Sequence, residues 1–255
     1  SEASGIASTA IGDQVDATGN HSTALGFYTT ASGHSSTALG FGSTASGKYG
    51  ATALGSHTIA RGHTSTAIGN YTTAEDIYSF IIGVHNKTDE TPNPENFSFQ
   101  NTAFVIGNGG HDSEGNYVGT SDTFSNAFEV LFDGTTTIAG DLNINSDARL
   151  KANIISLGAT LSKLLQIDGK TYTMKKDANH KKKIGLLAQD IEKVFPELVT
   201  ETNDIKSVNY QGLVPVLINA MKEQQDEIDS YKTELSNQRK EIDELKTMGK
   251  QLMNK

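Results

Sequence analysis

The sequence predicts a mainly β N-terminal half, an α+β domain after it and a C-terminal coiled coil, assembled as an elongated homotrimer. Three observations lead to this prediction. Glycine recurs every seventh residue up to Gly69, with one step of eight between Gly47 and Gly55, the charge balance changes near residue 145, and apolar residues recur with a 3.5-residue period from Leu217. The composition agrees, because a 255-residue chain with 25 glycines, 7% aromatic residues and no Trp or Cys has difficulty building a wide core by itself.

The first seventy residues are a repeat. Units ending in Ala-Ile/Leu-Gly alternate with units related to Ala-Ser-Gly, so the full period is about fourteen residues. Glycine at every seventh position disfavours a helix, whereas short Ser-Thr-Ala-Leu runs between glycine turns favour strands. We therefore expect two short strands in each coil of a narrow β-roll. One Ile or Leu per coil is too small a core for one chain, so several chains are expected to share it.

These repeats resemble the head repeats of YadA-like trimeric adhesins. The resemblance covers about residues 1–74 and is carried by segments such as Ser22–Gly26 and Ser65–Gly69. It implies a trimeric left-handed parallel β-roll that serves first as a scaffold and second as a binding surface. YadA-type adhesins end in a membrane β-barrel, and the coil expected at this C-terminus argues against an autotransporter.

Two groups of polar residues raise the question of metal binding, and the sequence favours a simpler interpretation of each. Four histidines follow repeat glycines within two residues and are expected to be exposed turn residues: His21, His34, His57 and His63. His111, Asp112 and Glu114 lie beside Gly109-Gly110, but calcium requires more oxygen ligands than this spacing supplies. We therefore expect a solvated loop there, with no metal and no cofactor.

Residues 75–145 are expected to form a β connector in which short strands wrap three chains into a shaft. Strand-like apolar runs lie at 78–85, 103–107, 127–132 and 135–144. A loop containing Pro92 and Pro94 follows the first run, and Asp133-Gly134 is a turn signal between the last two.

The second half contains three motifs in a fixed order. Ser146–Ile154 predicts a helix with Ser or Asp at its N-cap. Gly185–Val199 predicts an amphipathic helix that Pro196 ends, and Val208–Leu217 leads into a helix with Pro215 in its first turn. Together these motifs resemble the intramolecular chaperone domain that ends phage tailspikes and tail fibres and that also occurs in endosialidase and in the myelin regulatory factor. The resemblance runs from Ser146 to about Gln225, and we place the domain at 146–211.

The chaperone resemblance implies a single self-cleavage by a Ser–Lys dyad, at most a single-turnover serine peptidase activity. Carried onto this sequence, Ser146 is the nucleophile, Lys151 is the base and the scissile bond is Asn145–Ser146. A lysine amine acts as a base near neutrality only when it is desolvated or lies near another cation. Arg149 would help in this respect, whereas Asp147 would oppose it or would cap the helix instead. We expect Ser146 on a turn, with Lys151 reaching back from the start of the helix.

The last segment, residues 212–255, predicts a trimeric coiled coil. Eleven positions follow the 3.5-residue period and eight of them are apolar: Leu217, Met221, Gln224, Ile228, Tyr231, Leu235, Gln238, Ile242, Leu245, Gly249 and Leu252. The two glutamines suit polar layers that fix the register of the helices.

Charge and motifs together favour a structural fibre over other classes of protein. Residues 1–145 carry three basic and 14 acidic residues and residues 146–255 carry 18 basic and 16 acidic, so the first half is a poor partner for nucleic acid. No apolar run is long enough to cross a membrane. We expect a phage tail fibre, an injection-system fibre or an extracellular surface fibre, with other fibre or baseplate proteins as partners. The alternative is an adhesin head that binds a host cell-surface receptor or glycan, with a trimerisation domain that is not cleaved.

Overall fold

The computed structural model describes residues 1–175, 177 and 180–253. The predicted chaperone and coiled-coil segments therefore include five positions outside the described residues: Lys176, Ala178, Asn179, Asn254 and Lys255. The chain divides into two units, Ser1–Asn145 and Ser146–Lys255. This division falls at the change in charge balance and at the expected start of the chaperone segment.

The first unit is a β-solenoid in which each coil contributes one long and one short strand. The short strands pair in parallel into a six-stranded sheet and are β1 (Glu2–Ala3), β3 (Asp16–Ala17), β5 (Thr30–Ala31), β7 (Thr44–Ala45), β9 (Ile59–Ala60) and β11 (Thr73–Ala74). The long strands belong to a nine-stranded sheet and are β2 (Thr9–Asp13), β4 (Thr23–Phe27), β6 (Thr37–Phe41), β8 (Thr52–Ser56), β10 (Thr66–Asn70) and β12 (Phe80–Val84). Equivalent residues of successive coils pair in register, including across the eight-residue step, where Leu39 pairs with Leu54.

The interior of the solenoid is narrow and is filled by small side chains. Side chains alternate between the two faces of a strand, and in each long strand of β2–β10 alanine points inward while Ile or Leu points outward. Ala24, Ala38, Ala53 and Ala67 are fully buried. Serine and threonine occupy other buried positions, including Ser36 and Thr58. The mainly β first half is therefore confirmed, and its own core is even smaller than one Ile or Leu per coil.

Glycine is required where successive coils approach most closely. Gly55 has a φ of +133°, and a Cβ added to it would lie 2.0 Å from the carbonyl oxygen of Gly69 in the next coil. The same close approach recurs from coil to coil, as at Gly26 against Gly40. The seven-residue spacing of glycine therefore reflects backbone contact between coils as well as turn formation.

The nine-stranded sheet continues past the end of the repeat. β13 (Thr102–Asn108) pairs in parallel with β12, and Ile82 is paired with Ile106. β14 (Asn126–Leu131) and β15 (Thr136–Ile138) then add antiparallel strands. The sheet thus crosses the expected boundary at 74/75 without a break. The strand expected over 135–144 is only three residues long, and residues 139–145 are irregular and exposed.

The second unit combines two β-hairpins with helices. Its strands are β16 (Lys170–Tyr172) with β17 (Lys183–Gly185), and β18 (Val199–Thr202) with β19 (Ile205–Val208). Its helices are α1 (Leu161–Leu164), α2 (Ala188–Val194) and α3 (Leu213–Met253). A small core of Ile191, Phe195 and Val216 joins α2 to the start of α3.

Two expected helices of this unit differ from the observed ones. The stretch 146–154 contains only a 3₁₀ turn at Ala148–Leu150. The stretch 185–199 begins with the end of β17, and its helix is the seven-residue α2, because residues 183–187 are extended. Pro196 follows α2 as expected and opens a 3₁₀ turn. The α+β region and the long C-terminal helix are confirmed, with Pro215 in the first turn of α3.

Candidate functional site

The predicted dyad residues flank a short turn at the start of the second unit. Asp147 is the N-cap of the 3₁₀ turn, and its Oδ1 accepts a hydrogen bond from the Arg149 backbone N–H at 2.8 Å. Lys151 follows the turn in an extended conformation, with φ −120° and ψ 147°. The lysine therefore reaches back from the end of a 3₁₀ turn, and not from the start of an α-helix.

Ser146 and Lys151 are brought together by this turn. The Lys151 Nζ donates a hydrogen bond to the Ser146 Oγ at 2.7 Å. A five-residue offset does not bring two side chains together on a straight α-helix, so the sharper turn makes the approach possible. Both residues are exposed in the single chain.

Asp147 and Arg149 form an ion pair beside the dyad. The Arg149 Nη2 lies 2.6 Å from the Asp147 Oδ2, and the Arg149 Nε donates to both carboxylate oxygens at 3.0 and 3.1 Å. The Arg149 side chain lowers the pKa of the Asp147 carboxyl, and Asp147 raises the pKa of Arg149 in return. The expected effect of a free Arg149 cation on Lys151 is therefore offset, because its charge is balanced by Asp147.

Asn145 completes the set of predicted site residues as the last residue of the first unit. Among the described residues, no other backbone group forms a hydrogen bond with the Asn145 carbonyl or with the Ser146 backbone N–H. The nearby Leu142 and Ile144 are about three-fifths exposed. Asn145 itself is also exposed.

Two protein-family models match the chain, one in each unit. The model described as "Chaperone of endosialidase" matches residues 146–200. The YadA head domain repeat matches residues 3–29, 31–58, 48–72 and 60–80.

The chain joins YadA-type head repeats to an endosialidase-type chaperone domain.

Curated relatives match parts of longer fibre proteins. The long tail fiber protein Gp37 of Enterobacteria phage M1 is 33% identical over 122 residues, which are 42% of this chain and 49% of that protein. The Gp37 proteins of Enterobacteria phage Ox2 (32% over 120 residues, 42% of this chain and 48% of that protein) and Salmonella phage S16 (33% over 105 residues, 37% and 14%) are also similar. The chain thus spans about half or less of the length of these relatives. Among the described residues, none of the helices has the length and apolar character of a membrane span.

The YadA-type head repeats carry a second candidate site, an aliphatic stripe on the outer face of the long strands. Its residues pair in register from coil to coil and are Ile11, Leu25, Leu39, Leu54, Ile68, Ile82 and Ile106. Ile11 is 59% exposed and Leu39 is 40% exposed. A continuous apolar surface of this kind is typical of an interface, and the sequence did not reveal which face of the strand would carry it.

Two rows of rings lie at the turns of the head repeats. One row, called the stacked row, contains Phe27, Phe41, His57, Tyr71 and His85, with centroids 4.4 to 5.5 Å apart; its contacts are stacked except for the edge contact between Phe41 and His57. The other row joins His21, His34, Tyr49 and His63 through edge contacts of 5.4 to 5.9 Å. His57 and His63 are half-buried and not exposed as expected, because their rings pack between neighbouring coils.

His85 ends the stacked row and is fully buried beneath the loop between β13 and β14. Its Nε2 lies 3.0 Å from the Tyr117 hydroxyl, whereas its Nδ1 is buried and has no hydrogen-bond partner among the residues that the structure describes. Burial lowers the pKa of His85, and nearby His111 lowers it further. The His111 ring makes an edge contact with Tyr117 at 5.9 Å, while Asp112 accepts hydrogen bonds from Asn116 within its own turn.

The chaperone domain contains a long-range cap that sequence reasoning missed. The Glu223 carboxylate on α3 accepts hydrogen bonds from the Thr160 and Leu161 backbone N–H groups at the start of α1, at 2.5 and 3.2 Å. These bonds, with one from the Thr160 hydroxyl, lower the pKa of Glu223. Thr160 before a short helix is a recognisable N-cap signal, but its partner 63 residues away has no signature in the sequence.

Proposed function

We propose that the chain is part of a phage long tail fibre that assembles as a homotrimer and cleaves itself once, between Asn145 and Ser146. The fibre assignment is supported by the relatives named long tail fiber protein and by the chaperone domain. We infer a location in the virion tail and propose other fibre or baseplate proteins as partners. The observation that carries the self-cleavage is the 2.7 Å contact between Lys151 Nζ and Ser146 Oγ.

The Ser146–Lys151 contact supports general-base activation of a serine. The hydroxyl is within hydrogen-bonding reach of the amine, which is the first geometric requirement for proton transfer. Asp147 and Arg149 act as positioning residues, because their bonds hold the 3₁₀ turn that brings Ser146 and Lys151 together.

Cleavage is proposed to depend on assembly because Ser146 and Lys151 are exposed in the single chain. Water around an amine favours its charged form, which is no base. Covering the turn by neighbouring chains removes this water and favours the neutral amine. Cleavage then follows trimer formation and leaves a fibre that is kinetically trapped without its chaperone.

The trimer is supported by apolar surfaces on both units. Leu39 exposes 40% of its surface, and burying about 70 Å² at roughly 25 cal/mol per Å² contributes about 1.7 kcal/mol per chain. Burial of Leu39 in all three chains therefore contributes roughly 5 kcal/mol. On α3, the apolar positions of the 3.5-residue pattern are exposed along the helix, from Leu217 to Leu252. A C-terminal coil that brings three chains into register raises their effective concentration, which suits a β-fibre with many non-local contacts.

A second candidate function, receptor or glycan binding by the head repeats, is favoured by the row of rings that contains Tyr49. Tyr49 is 51% exposed, and the Lys48 ammonium lies 5.5 Å from its ring centroid. Binding of the trimer to a glycan array, lost in Tyr49→Ala and retained in a Tyr28→Ala control, would support this function. Equal binding by both variants would argue against this row as the binding surface.

Intact mass after denaturation tests the proposed cleavage. Fragments ending at Asn145 and beginning at Ser146 are expected from the wild type and absent from Ser146→Ala and Lys151→Ala. Lys151→Arg is the matched control, because it keeps the positive charge and removes the base. One full-length species in all four proteins would refute self-cleavage.

Analytical ultracentrifugation tests the trimer independently of cleavage. In a Ser146→Ala background, the full chain is expected to sediment as a trimer, and Leu39→Asn is expected to weaken it. Ser46→Asn, at the exposed residue that follows β7, is the matched control. A monomeric parent chain at micromolar concentration would refute the proposed trimer.

A further inference from the structure

The loop between β12 and β13, residues 85–101, is fastened at two points by the side chain of Asp76. The Asp76 Oδ1 accepts a hydrogen bond from the Asn93 backbone N–H at 2.6 Å, in the middle of the loop. Its Oδ2 accepts one from the Thr102 backbone N–H at 2.8 Å, where β13 begins. A single carboxyl group on a residue that is only 3% exposed therefore holds this loop, which is called the capping loop below.

The capping loop covers the open edge of the six-stranded sheet, whose last strand is β11. The Asn86 side chain accepts a hydrogen bond from the Thr73 backbone N–H at 2.7 Å and donates one to the Thr73 carbonyl at 3.0 Å. The Asn93 carbonyl accepts another from the Ile77 N–H at 3.1 Å. The loop thus pairs backbone groups that a further coil of the solenoid would otherwise pair. Its release would expose a strand edge, which is a template for pairing with another chain.

A second carboxyl group, that of Asp89 in the capping loop, lies against Asp76. The two carboxyl groups are hydrogen-bonded to each other, and the Asp89 Oδ2 also accepts a bond from the Thr102 hydroxyl at 3.1 Å. Both residues line one cavity of about 20 Å³. Two ionised carboxylates in contact repel each other, and a hydrogen bond between them requires a proton on one of the two.

The charged groups around this pair do not neutralise it. Glu129 on β14 adds a further negative charge near Asp89. Glu75 lines the same cavity but is paired with Arg61 at 2.6 Å. Lys87 lines it as well. In the part of the chain that the structure describes, no Lys, Arg or His forms an ion pair with either carboxyl group of the pair.

The proton balance of Asp89 has the opposite sign to that of an ordinary surface carboxylate. Burial raises the pKa of Asp89 and the charge of Asp76 raises it further, while the bond from Thr102 partly offsets both effects. With a raised pKa, Asp89 binds a proton more readily in the folded loop than in the unfolded chain. The closed loop therefore gains stability as the pH falls through the folded-state pKa and loses it as the pH rises.

We propose that Asp76 and Asp89 form a latch that acid tightens and that holds the capping loop on the end of the solenoid. In the tight state, Asp89 carries a proton and donates it to Asp76, which keeps its bonds to Asn93 and Thr102. When Asp89 loses this proton, the two carboxylates repel each other, and the loop opens more often and exposes the edge of β11. The latch belongs to the first unit and depends on neither the proposed cleavage nor the trimer.

Amide hydrogen exchange of the purified full chain tests the latch. Protection factors of the Asn93 and Thr102 N–H groups are measured with EDTA from about pH 7.5 to about pH 4, the lower end lying near the pKa of a free Asp. Each is corrected for the intrinsic exchange rate, and amides of β8 report global unfolding. Asp89→Asn is the decisive variant, because an amide of the same shape donates to Asp76 at every pH. Glu95→Gln is the matched control, since it removes a charge from an exposed position of the same loop.

At the upper pH, Asp89→Asn is expected to protect the two amides about fivefold more than the wild type does, which corresponds to the repulsion of two unit charges about 4 Å apart in water. Water is the suitable reference because Asp89 lies at the surface. At the lower pH this ratio is expected to approach one, because protonation gives the wild type the same bond. The ratio cancels effects of other titrating groups, including His85, that both proteins share. Glu95→Gln is expected to follow the wild type throughout.

Three results would overturn the latch. The first is a ratio that does not change with pH, or lower protection in Asp89→Asn than in the wild type at the upper pH. The second is unchanged protection in Asp76→Asn, which is expected to lower the protection of both amides at every pH while β8 stays protected. The third is added Ca²⁺ that raises protection in the wild type at the upper pH but not in Asp89→Asn, because a cation would then neutralise the pair in place of the proton.

Discussion

Replacing Gly55 by Ala is expected to lower the free energy of unfolding of the head repeats more than almost any other substitution that adds one methyl group. Two costs follow from the structure. The φ of +133° is strained for an L-residue by about 1–3 kcal/mol. The new Cβ would also lie 2.0 Å from the Gly69 carbonyl oxygen, so the two coils have to separate. Losing about two inter-coil hydrogen bonds adds about 2 kcal/mol, for a total of roughly 3–5 kcal/mol.

The assay is thermal unfolding of the β unit, followed by far-UV circular dichroism in a Ser146→Ala background at fixed protein concentration. For a unit of this size, 3–5 kcal/mol corresponds to a Tm lower by about 10 °C. Gly140→Ala is the matched control, because no atom of the described part of the chain lies within 4 Å of its added Cβ, and it is expected to change stability by less than about 0.5 kcal/mol.

The reasoning would be refuted if the free energies of unfolding of Gly55→Ala and Gly140→Ala differed by less than about 1 kcal/mol. That result would mean that the coils can separate at little cost and that the glycine spacing reflects something other than backbone contact.

Three further predictions concern pH and the coil. Because the pKa of His85 is lowered in the fold by burial and by His111, the unfolded state binds a proton more readily, and the β unit should lose stability as the pH decreases below about 6.5. The stability of His85→Phe, measured by denaturation, should not show this pH dependence, and an identical dependence would contradict the role of His85. Hydrogen bonds from Thr160 lower the pKa of Glu223 in the folded state, so the stabilisation by Glu223 is present above its unfolded-state pKa and is lost as the pH falls through its folded-state pKa. Glu223→Gln should therefore destabilise the chaperone domain at pH 7 and weaken the pH dependence of its acid unfolding. Urea denaturation that is unchanged in Glu223→Gln would exclude this cap. Gly249→Leu should raise the melting temperature of the coil, since helical Gly costs about 1 kcal/mol per chain, and a lower temperature would place residue 249 outside the apolar seam.

The sequence predicted the repeat and the long helix because both are local patterns. A glycine every seventh residue excludes a helix and fixes the coil length wherever the chain goes. The 3.5-residue period likewise marks one face of α3 without reference to its partners. The family resemblance pointed to the residue types at Ser146 and Lys151, whose cleavage role stays a prediction.

Other features depended on the tertiary structure. The sequence predicts a helix after Ser146 because Ser-Asp is a good N-cap signal. The structure has a 3₁₀ turn there instead, closed by the Asp147–Arg149 pair. The burial of His85 and the cap from Glu223 to Thr160 join residues that are far apart in the chain, and no local pattern encodes such contacts.

The sequence by itself determined the period of the β-solenoid and the heptad of the coil. These follow from local backbone preferences and from residue spacing, which the chain carries with it. Only the tertiary structure decided that alanine fills the solenoid while Ile and Leu face outward. It also decided that a 3₁₀ turn brings the Lys151 amine to the Ser146 hydroxyl. Both depend on which way a side chain points once the backbone has turned, and that direction is set by contacts between coils and within the turn.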